Sequence, residues 1–528
     1  MSSTPSNNEQ EWKPTMNPWL VTFAVMTATF IFVLDSTIAN VALPHMAGSF
    51  SSSNEEAMWI LTSYLIASGI VLPSVAWFSH VFGRKTFFIA CIIIFTVASL
   101  LCGLSFSMET MIFARVLQGL GGGALLPISQ AILLESFPKE KRGIAMSIFG
   151  LGVVIAPVIG PVLGGWLTDS FSWNWIFFIN VPFGIISVIA SKLFIEDPPY
   201  AKKQGLKKID YVGFSLLISW LVTLQIVLDK GQNADWFQAP WICCLSAVSI
   251  ISMICFVISQ LKNKDSIIDL SVFSDKNFLY GTIVLVVVNG VMYASTAIMP
   301  LYLQNLLGYS AFLSGYALMP RGVGSILAVV VTGVLSNKVD ERILGIIGLL
   351  SLGLSGLIFG FLSLQISMIN IVIPNLIFGF GMALCFIPLT TLSMNTLSNS
   401  QMTNASGVQS LLKNIGGAIG TSLVTTMLSR FAQVHQFSMV KHLNPLNPEF
   451  QSRLYTYKAA FLQFMHMSQA DIKANYLMYA ELLKQSNLWA FMDTFRIFGI
   501  IALLIIPLVL LLDKNEVDPD SEHIAVMH

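Results

Sequence analysis

Two residues of opposite charge stand where charge is expensive. Asp35 lies well inside the apolar stretch 18–40, and Arg115 lies within another, 108–134. A charged side chain inside a bilayer is costly unless it is paired or faces water. The two stretches run in opposite directions, yet carry their charges to similar depth. Two chemistries fit the pair. One is a fixed ion pair that sets helix packing. The other is a protonation site. A carboxylate in low dielectric holds a proton more readily, and a mobile guanidinium opposes that, so alternation between the two surroundings would couple proton binding to conformation. Gln118, three residues from Arg115, shares its helix face.

Further charges mark other positions. Arg321 and Lys413, with Asn414 beside the latter, lie deep in the later apolar stretches 310–335 and 405–430. No carboxylate there sits clearly at their depth, which makes them candidates for a positively charged substrate cavity. Contact with helix carbonyls or snorkelling accounts for them equally well. Asp493 and Arg496, three apart near the outer interface, can pair with each other. Gly83 predicts a tight turn in "FGRK", where Arg84 and Lys85 place two cations at the cytoplasmic mouth. Glu135 and Arg142, on either side of "PKEK", are candidate gate charges at that mouth. The plainer reading of these cations is a topology signal.

The stretch "GLGVVIAPVIGPVLGGW" is the most specific local pattern. Gly152, Ala156, Gly160 and Gly164 recur every four residues and line one helix face, which permits close helix contact. Pro157 and Pro161 bend the helix beside that face, and the pair Gly164–Gly165 follows them. Packing alone explains many such ladders. A helix both tightly packed and bendable can also govern which side of a central site is sealed.

These residues are carried by fourteen apolar stretches, near 18–40, 57–78, 85–106, 108–134, 143–168, 173–195, 210–228, 238–261, 278–301, 310–335, 343–363, 367–394, 405–430 and 488–512. A crossing helix needs about 20 mostly apolar residues. The 528 residues are 55% hydrophobic and 11% charged. Soluble proteins carry about 25% charged residues, so the solvent is lipid. Zero net charge gives no hint of nucleic acid. The six cysteines lie in apolar stretches and read as free thiols, with neither a metal spacing nor a disulfide framework. Gly119–Gly123 lacks the strand, Lys and Ser/Thr of a phosphate loop, and no Ser/His/Asp or metal set emerges. The expectation is a protein that is not an enzyme, needs no cofactor and is not driven by ATP.

Lys and Arg fall in alternate short loops: 84–85, 139–142, 202–208, 262–276 and 338–342, against only Lys230 in the short loops between. By the positive-inside rule both termini are cytoplasmic. The charged segment 196–209 reads as a linker between halves that echo each other, since "AWFSHVFGRK" follows the second stretch and "GVLSNKVDER" follows the tenth. Repeated six-span halves place a substrate site between them near the bilayer midplane. The expected organisation is a tail 1–17, a six-helix bundle 18–195, a linker with two extra membrane helices 196–276, a second bundle 277–512 and a tail 513–528. The second bundle includes an outer loop, 431–487, in which Leu454, Tyr457, Phe461, Phe464 and Met465 can share a helix face. That helix would lie on the outer membrane surface or dock a partner.

The chain resembles the fourteen-span drug:proton antiporters of the major facilitator superfamily, in particular their EmrB/QacA type. The resemblance rests on "LDSTIANVALP" (34–44), "RVLQG" (115–119), "APVIGPVLGG" (156–165), "WNWIFFINVPFG" (173–184), "LQIVLDKGQNADWF" (224–237), "IPLTTLS" (387–393), "NIGGAIGTS" (414–422) and "HLNPLNPEF" (442–450). It implies an all-α membrane protein with two six-helix bundles and an extra central pair. It assigns Asp35 and Arg115 to proton coupling, and Gly160, Pro161, Gly164 and Gly165 to the antiporter signature. It further implies export of hydrophobic or amphiphilic toxicants from a bacterial inner membrane, together with a periplasmic membrane-fusion adaptor and an outer-membrane channel. Ala76 and His80 stand where the superfamily's loop motif has Gly and Asp, and Asn337 replaces the Asp of the second-half echo, so its charge lock is not expected here. The rival readings are a dedicated exporter of a fatty-acid-like metabolite, a channel, and a membrane receptor that transports nothing.

Overall fold

The computed structural model describes residues 16–72, 75–137, 142–196, 210–232, 234–263, 269–335, 339–394, 396–397, 399–464 and 466–513. The expected linker (from 197), most of both tails, Asn337 and Met465 lie outside the described residues, as do the side chains of Ala76, His80, Glu135, Arg142 and Pro157. The described residues are helical with no strand among them. The long helices are α1 (Pro18–Ser49), α2 (Trp59–Val71), α3 (Arg84–Gly103), α4 (Met108–Gly122), α5 (Arg142–Ser170), α6 (Asn180–Phe194), α7 (Tyr211–Lys230), α8 (Pro240–Lys262), α9 (Lys276–Leu301), α10 (Ala311–Leu335), α11 (Glu341–Phe359), α12 (Ile369–Met394), α13 (Asn399–Val440), α14 (Pro448–Leu462) and α15 (Met467–Leu504).

Chain chemistry sets their starts. Asn17 caps α1 by accepting from Trp19 N–H, with Pro18 in the first turn. Ser107 and Thr110 form a reciprocal capping box at α4. Asp210, Asp275 and Asp340 cap α7, α9 and α11. Gly83, before α3, has φ 85°. That is the left-handed region that favours glycine, as the turn in "FGRK" requires.

Eleven helices among the described residues are long and apolar enough to cross a membrane. They include α1, α3, α4 with its continuation, and α6 to α12, ending with α15. The other three expected stretches coincide with α2, a shorter apolar helix, and with α5 and α13. Apolar side chains left outside the protein follow this pattern. On α8 Val248, Ile250, Ile251, Ile254, Ile258 and Leu261 are exposed, a surface suited to lipid rather than water. Helices α1 to α6 pack on one another, as do α9 to α13 with α15, while α7 and α8 pair and α7 touches both sets.

The two sets meet chiefly where α5 crosses α10. The ladder residues divide between two neighbours. Gly160 and Gly164 lie against Thr37 and Ile38 of α1, within the first set, and a Cβ on Gly164 would come within 2.9 Å of the Ile38 carbonyl. Gly165 instead meets the backbone of Ala311 and Phe312 on α10, and the Pro161 carbonyl fills the space left by Gly315. So α5 is small on two faces, one binding it to its own half and one to the other. It runs from Arg142 to Ser170 as one helix through both prolines.

The segment 431–487 departs from expectation. Helix α13 continues past residue 430 to Val440, and α15 begins at Met467 rather than near 488. The segment 431–487 is therefore a helical hairpin that prolongs two bundle helices, not a surface helix between them. Gln436 donates to Tyr479 Oη at 3.2 Å across the prolongation. At its base His435 Nε2 lies 2.7 Å from Asp493, which Arg496 also bonds at 3.0 Å. Helix α14 folds back on α15. Leu454, Tyr457 and Phe461 are half-buried against it, with Lys458 paired to Asp471 at 2.6 Å. Three residues of the face expected to offer anchors are thus covered by α15. Phe464 of the expected face stays exposed, and with it other apolar residues that include Tyr455, Ile472 and Tyr476.

Close approach at Gly165 predicts a contrast with Gly333, around which nothing lies within 4 Å of an added Cβ. Gly165→Ala should lower the thermal midpoint of the purified protein, with a loss of about 1–3 kcal/mol from overpacking. Gly333→Ala should leave it unchanged or raise it. Equal midpoints for the two variants would mean that α5 does not need its small face toward α10.

Candidate functional site

Asp35 and Arg115 meet inside the first set of helices, 0% and 1% exposed, with Arg115 Nη1 at 2.8 Å from Asp35 Oδ2. The pair is enclosed by neutral donors and acceptors. Gln118 Nε2 donates to Asp35 Oδ1 at 2.9 Å, and its Oε1 accepts from Arg115 at 2.7 Å. Asn180 of α6 donates to the same Oδ1 at 2.8 Å and to Ser99 Oγ at 2.9 Å. Arg115 Nε bonds the Ile60 carbonyl at 2.9 Å, and its guanidinium lies 4.3 Å from the Tyr64 ring centre. Five helices, α1, α2, α3, α4 and α6, thereby contribute to one polar knot in an apolar interior. A cavity of about 10 Å³ adjoins it between Arg115, Tyr64, Ser36, Asn40 and Tyr293. That is room for about one water. Tyr293 belongs to α9, so the knot borders the seam between the two sets.

The sequence showed Asp35, Arg115 and Gln118. It did not single out Asn180, Ser99 or Tyr64. Asn180 stands alone between apolar neighbours in "FFINVPF", which is the one signal that could have exposed it.

Arg321 and Lys413 are not brought to one point. Arg321 Nε donates to Asn375 Oδ1 at 2.5 Å and Nη2 to Ser295 Oγ at 2.9 Å, with the guanidinium 4.5 Å from the Phe378 ring centre. Lys413 Nζ lies 4.8 Å from the Phe386 ring centre. Phe378 and Phe386 both stand on α12, more than two turns apart. Both cations rest on aromatic faces, and neither has a carboxylate within ion-pair distance among the described residues. Asn414 faces the opposite way. Its Nδ2 is 3.4 Å from Ser68 Oγ, and it packs on Gly69 of α2. It belongs to the contact between the two sets, beside Lys413 in sequence only. Lys85 Nζ donates to the Lys192 carbonyl at 2.8 Å. That bond closes the last turn of α6.

One carboxylate that the sequence reading passed over is Asp229, near the end of α7. It accepts from Thr62 Oγ1 at 2.9 Å, from Gln225 Nε2 at 2.6 Å and from Ser422 Oγ. At the same end of the bundle, Asp169 of α5 caps α10 through the N–H groups of Ala311 and Phe312, at 3.1 and 2.6 Å. A carboxylate there also suits the positive end of the helix dipole. Gln304 Nε2 bonds the Val41 carbonyl nearby at 2.8 Å. That end, from which the hairpin projects, is tied shut by polar contacts between the sets.

Comparison with known proteins supplies the family context. Residues 25–421 match the family model described as Major Facilitator Superfamily. The chain is 36% identical over 437 residues to the multidrug export protein EmrB of Haemophilus influenzae, covering 82% of this chain and 85% of that one. It is 32% identical over 425 residues to the fatty acid resistance protein FarB of Neisseria gonorrhoeae, covering 80% and 83%. Among solved structures, a bacterial homologue of the human lysosomal transporter Spinster, inward-facing and occupied, aligns with TM-score 0.60 at 17% identity over 94% of this chain and 97% of that one.

Proposed function

The chain belongs to the major facilitator superfamily, and from that premise we propose that it is a proton-coupled exporter of hydrophobic or amphiphilic toxicants. It works by alternating access with fourteen spans and both termini cytoplasmic, in a bacterial inner membrane. The likeness to EmrB supports the substrate class. The loop cations support the orientation, which makes the hairpin end the outer one. The observation that carries the reading is the knot around Asp35. Its carboxylate is fully buried, engaged at both oxygens, and next to the seam that must open. Ionised, it holds Arg115, Gln118 and Asn180 together. Protonated, one oxygen becomes a donor and a much poorer acceptor, so the N–H bonds it took are weakened. Proton binding and the arrangement of α1, α4 and α6 are therefore linked.

Asp35→Asn keeps the shape and removes titration. Vesicles carrying this variant should bind a hydrophobic dye as the wild type does and show no accumulation driven by a proton gradient. Accumulation at the wild-type rate would remove Asp35 from the coupling role.

A narrower reading, export of fatty-acid-like anions, is favoured by the two cations on aromatic platforms and by the likeness to FarB. Arg321 and Lys413 would draw a carboxylate while Phe378 and Phe386 line the path of its chain. Arg321→Gln and Lys413→Gln should each weaken export of a weak-acid uncoupler or a medium-chain fatty acid and spare a cationic dye. Equal loss for both charges would indicate structural damage rather than charge selection.

The hairpin 431–487 would be the contact for a periplasmic adaptor that passes substrate to an outer-membrane channel, giving a tripartite pump. Its exposed Tyr455, Phe464, Ile472 and Tyr476 are the available anchors. Replacing these four with Ser should abolish resistance in intact Gram-negative cells while the purified variant still transports in liposomes. Loss of liposome transport by a folded variant would assign the hairpin to the transport core.

A further inference from the structure

Asp229 lies in the segment "LQIVLDKGQNADWF", to which neither the ion pair nor the cation sites give a use. Its surroundings are unusual in what they join. Oδ2 accepts from Thr62 of α2, in the first set of helices, and from Gln225 of its own α7. Oδ1 accepts from Ser422 of α13, in the second set. Gln225 also reaches Ser422 Oγ, at 3.2 Å. One carboxylate thus holds three units: the first half, the inserted pair and the second half. It does so at the end that Asp169 and Gln304 also tie together.

All three donors are neutral, so the arrangement is not an ion pair. The charged groups nearby are few. Lys230 follows on α7, with Nζ 6.0 Å from the Trp59 ring centre, and Arg430 of α13 is engaged with Gln232 at 2.9 Å and Asp235 at 3.3 Å. Helix α2 contains no charged residue, and the only one on α8 is Lys262, at its far end. On α13 the next cation below Ser422 is Lys413, more than two turns away.

Charge decides the number of bonds. The ionised carboxylate accepts all three. Once protonated, one oxygen is a donor. If that oxygen is Oδ2, it becomes a much poorer acceptor for the Gln225 amide, and Thr62 must turn its hydroxyl from donor to acceptor to keep its bond across to α7. If it is Oδ1, Ser422 must turn to accept, although its oxygen already takes a bond from Gln225. Either way, the contact between the halves weakens.

We propose that Asp229 is a second proton-binding carboxylate of the transport cycle: ionised it latches the two halves at the hairpin end, and protonated it lets them part. The step is the uptake of one proton from the outer solution by the carboxylate, with no other bond made or broken than hydrogen bonds. The role in transport rests on the alternating-access reading above, while the latch itself can be measured without transport. Asp229 is here a positioning residue, separate from the knot around Asp35.

The test is the separation of the halves at the hairpin end. Bio-orthogonal spin labels at Leu104, which follows α3, and at Ile369, the first residue of α12, are both exposed and lie on different sets. In the full-length chain in nanodiscs, the ratio of short to long distances should fall about tenfold, an ordinary coupling strength, between pH 8 and pH 5.5. Asp229→Asn should show the long distance at both pH values, and Asp35→Asn should keep the shift. If Asp229→Asn does not fold, Thr62→Val with Ser422→Ala removes two donors and keeps the carboxylate, and should favour the long distance at pH 8. A wild-type shift in Asp229→Asn, or loss of the shift in Asp35→Asn alone, overturns the latch. A wild-type distance shift in protein that moves no substrate would sink the exporter reading and leave the latch standing.

Discussion

The fold is organised around a charge that cannot be left alone. Removing one partner of a buried ion pair typically costs about 3–5 kcal/mol, because the other charge is stranded in low dielectric. In this protein Asp35 and Arg115 satisfy each other across α1 and α4. The second carboxylate oxygen accepts from Gln118 and Asn180, both of which also donate to Ser99, and the guanidinium Nε donates to the Ile60 carbonyl. The helices that bring these groups are held at fixed height and rotation by that need. Dispersion between apolar helices would fix neither, since lipid tails offer similar contacts. Under the proton coupling proposed above, a change in the charge on Asp35 would alter how well five helices share their partners.

The seam between the halves follows a different rule. Where α5 crosses α10, backbone touches backbone through Gly165 and Gly315, with no side chain between. Such a contact is close yet carries no directional bond. At the hairpin end the rule changes to polar ties: Asp169 on the α10 amides, Gln304 on Val41, and Asp229 among Thr62, Gln225 and Ser422. A seam close-packed without directional bonds in its middle and fastened at one end would suit the alternating access proposed above. The pair α7–α8 takes part through Asp229, although most of α8 faces outward with an aliphatic surface.

The hairpin shows how one helical period supports two structures. Residues Leu454, Tyr457 and Phe461 do form a stripe, and the stripe is covered. Its cover is α15, which begins at Met467, well before the span expected at 488. Amphipathicity identifies a face that needs a partner. It cannot say whether that partner is lipid, another protein or the next helix of the same chain.

Much of this was legible in the chain itself. Long apolar runs, loop cations and the scarcity of charge dictate an all-α membrane protein, because lipid leaves the backbone no other way to satisfy its hydrogen bonds. Asp35 and Arg115 announced themselves because a charge within an apolar run has few innocent explanations. Gly83 was legible from its turn, which the positive φ bears out. Asn180 and Ser99 were not, since neutral polar residues are common in membrane helices and nothing local tells which are aimed at a charge. Asp229 was hidden by its place, because a carboxylate at the end of an apolar stretch reads as an ordinary interfacial charge. The division of the α5 ladder between α1 and α10, the separation of Arg321 from Lys413, and the turning of Asn414 toward α2 were decided only by the tertiary structure. Sequence spacing fixes the face of a helix on which a residue stands, and only the packing of the other helices decides what that face meets.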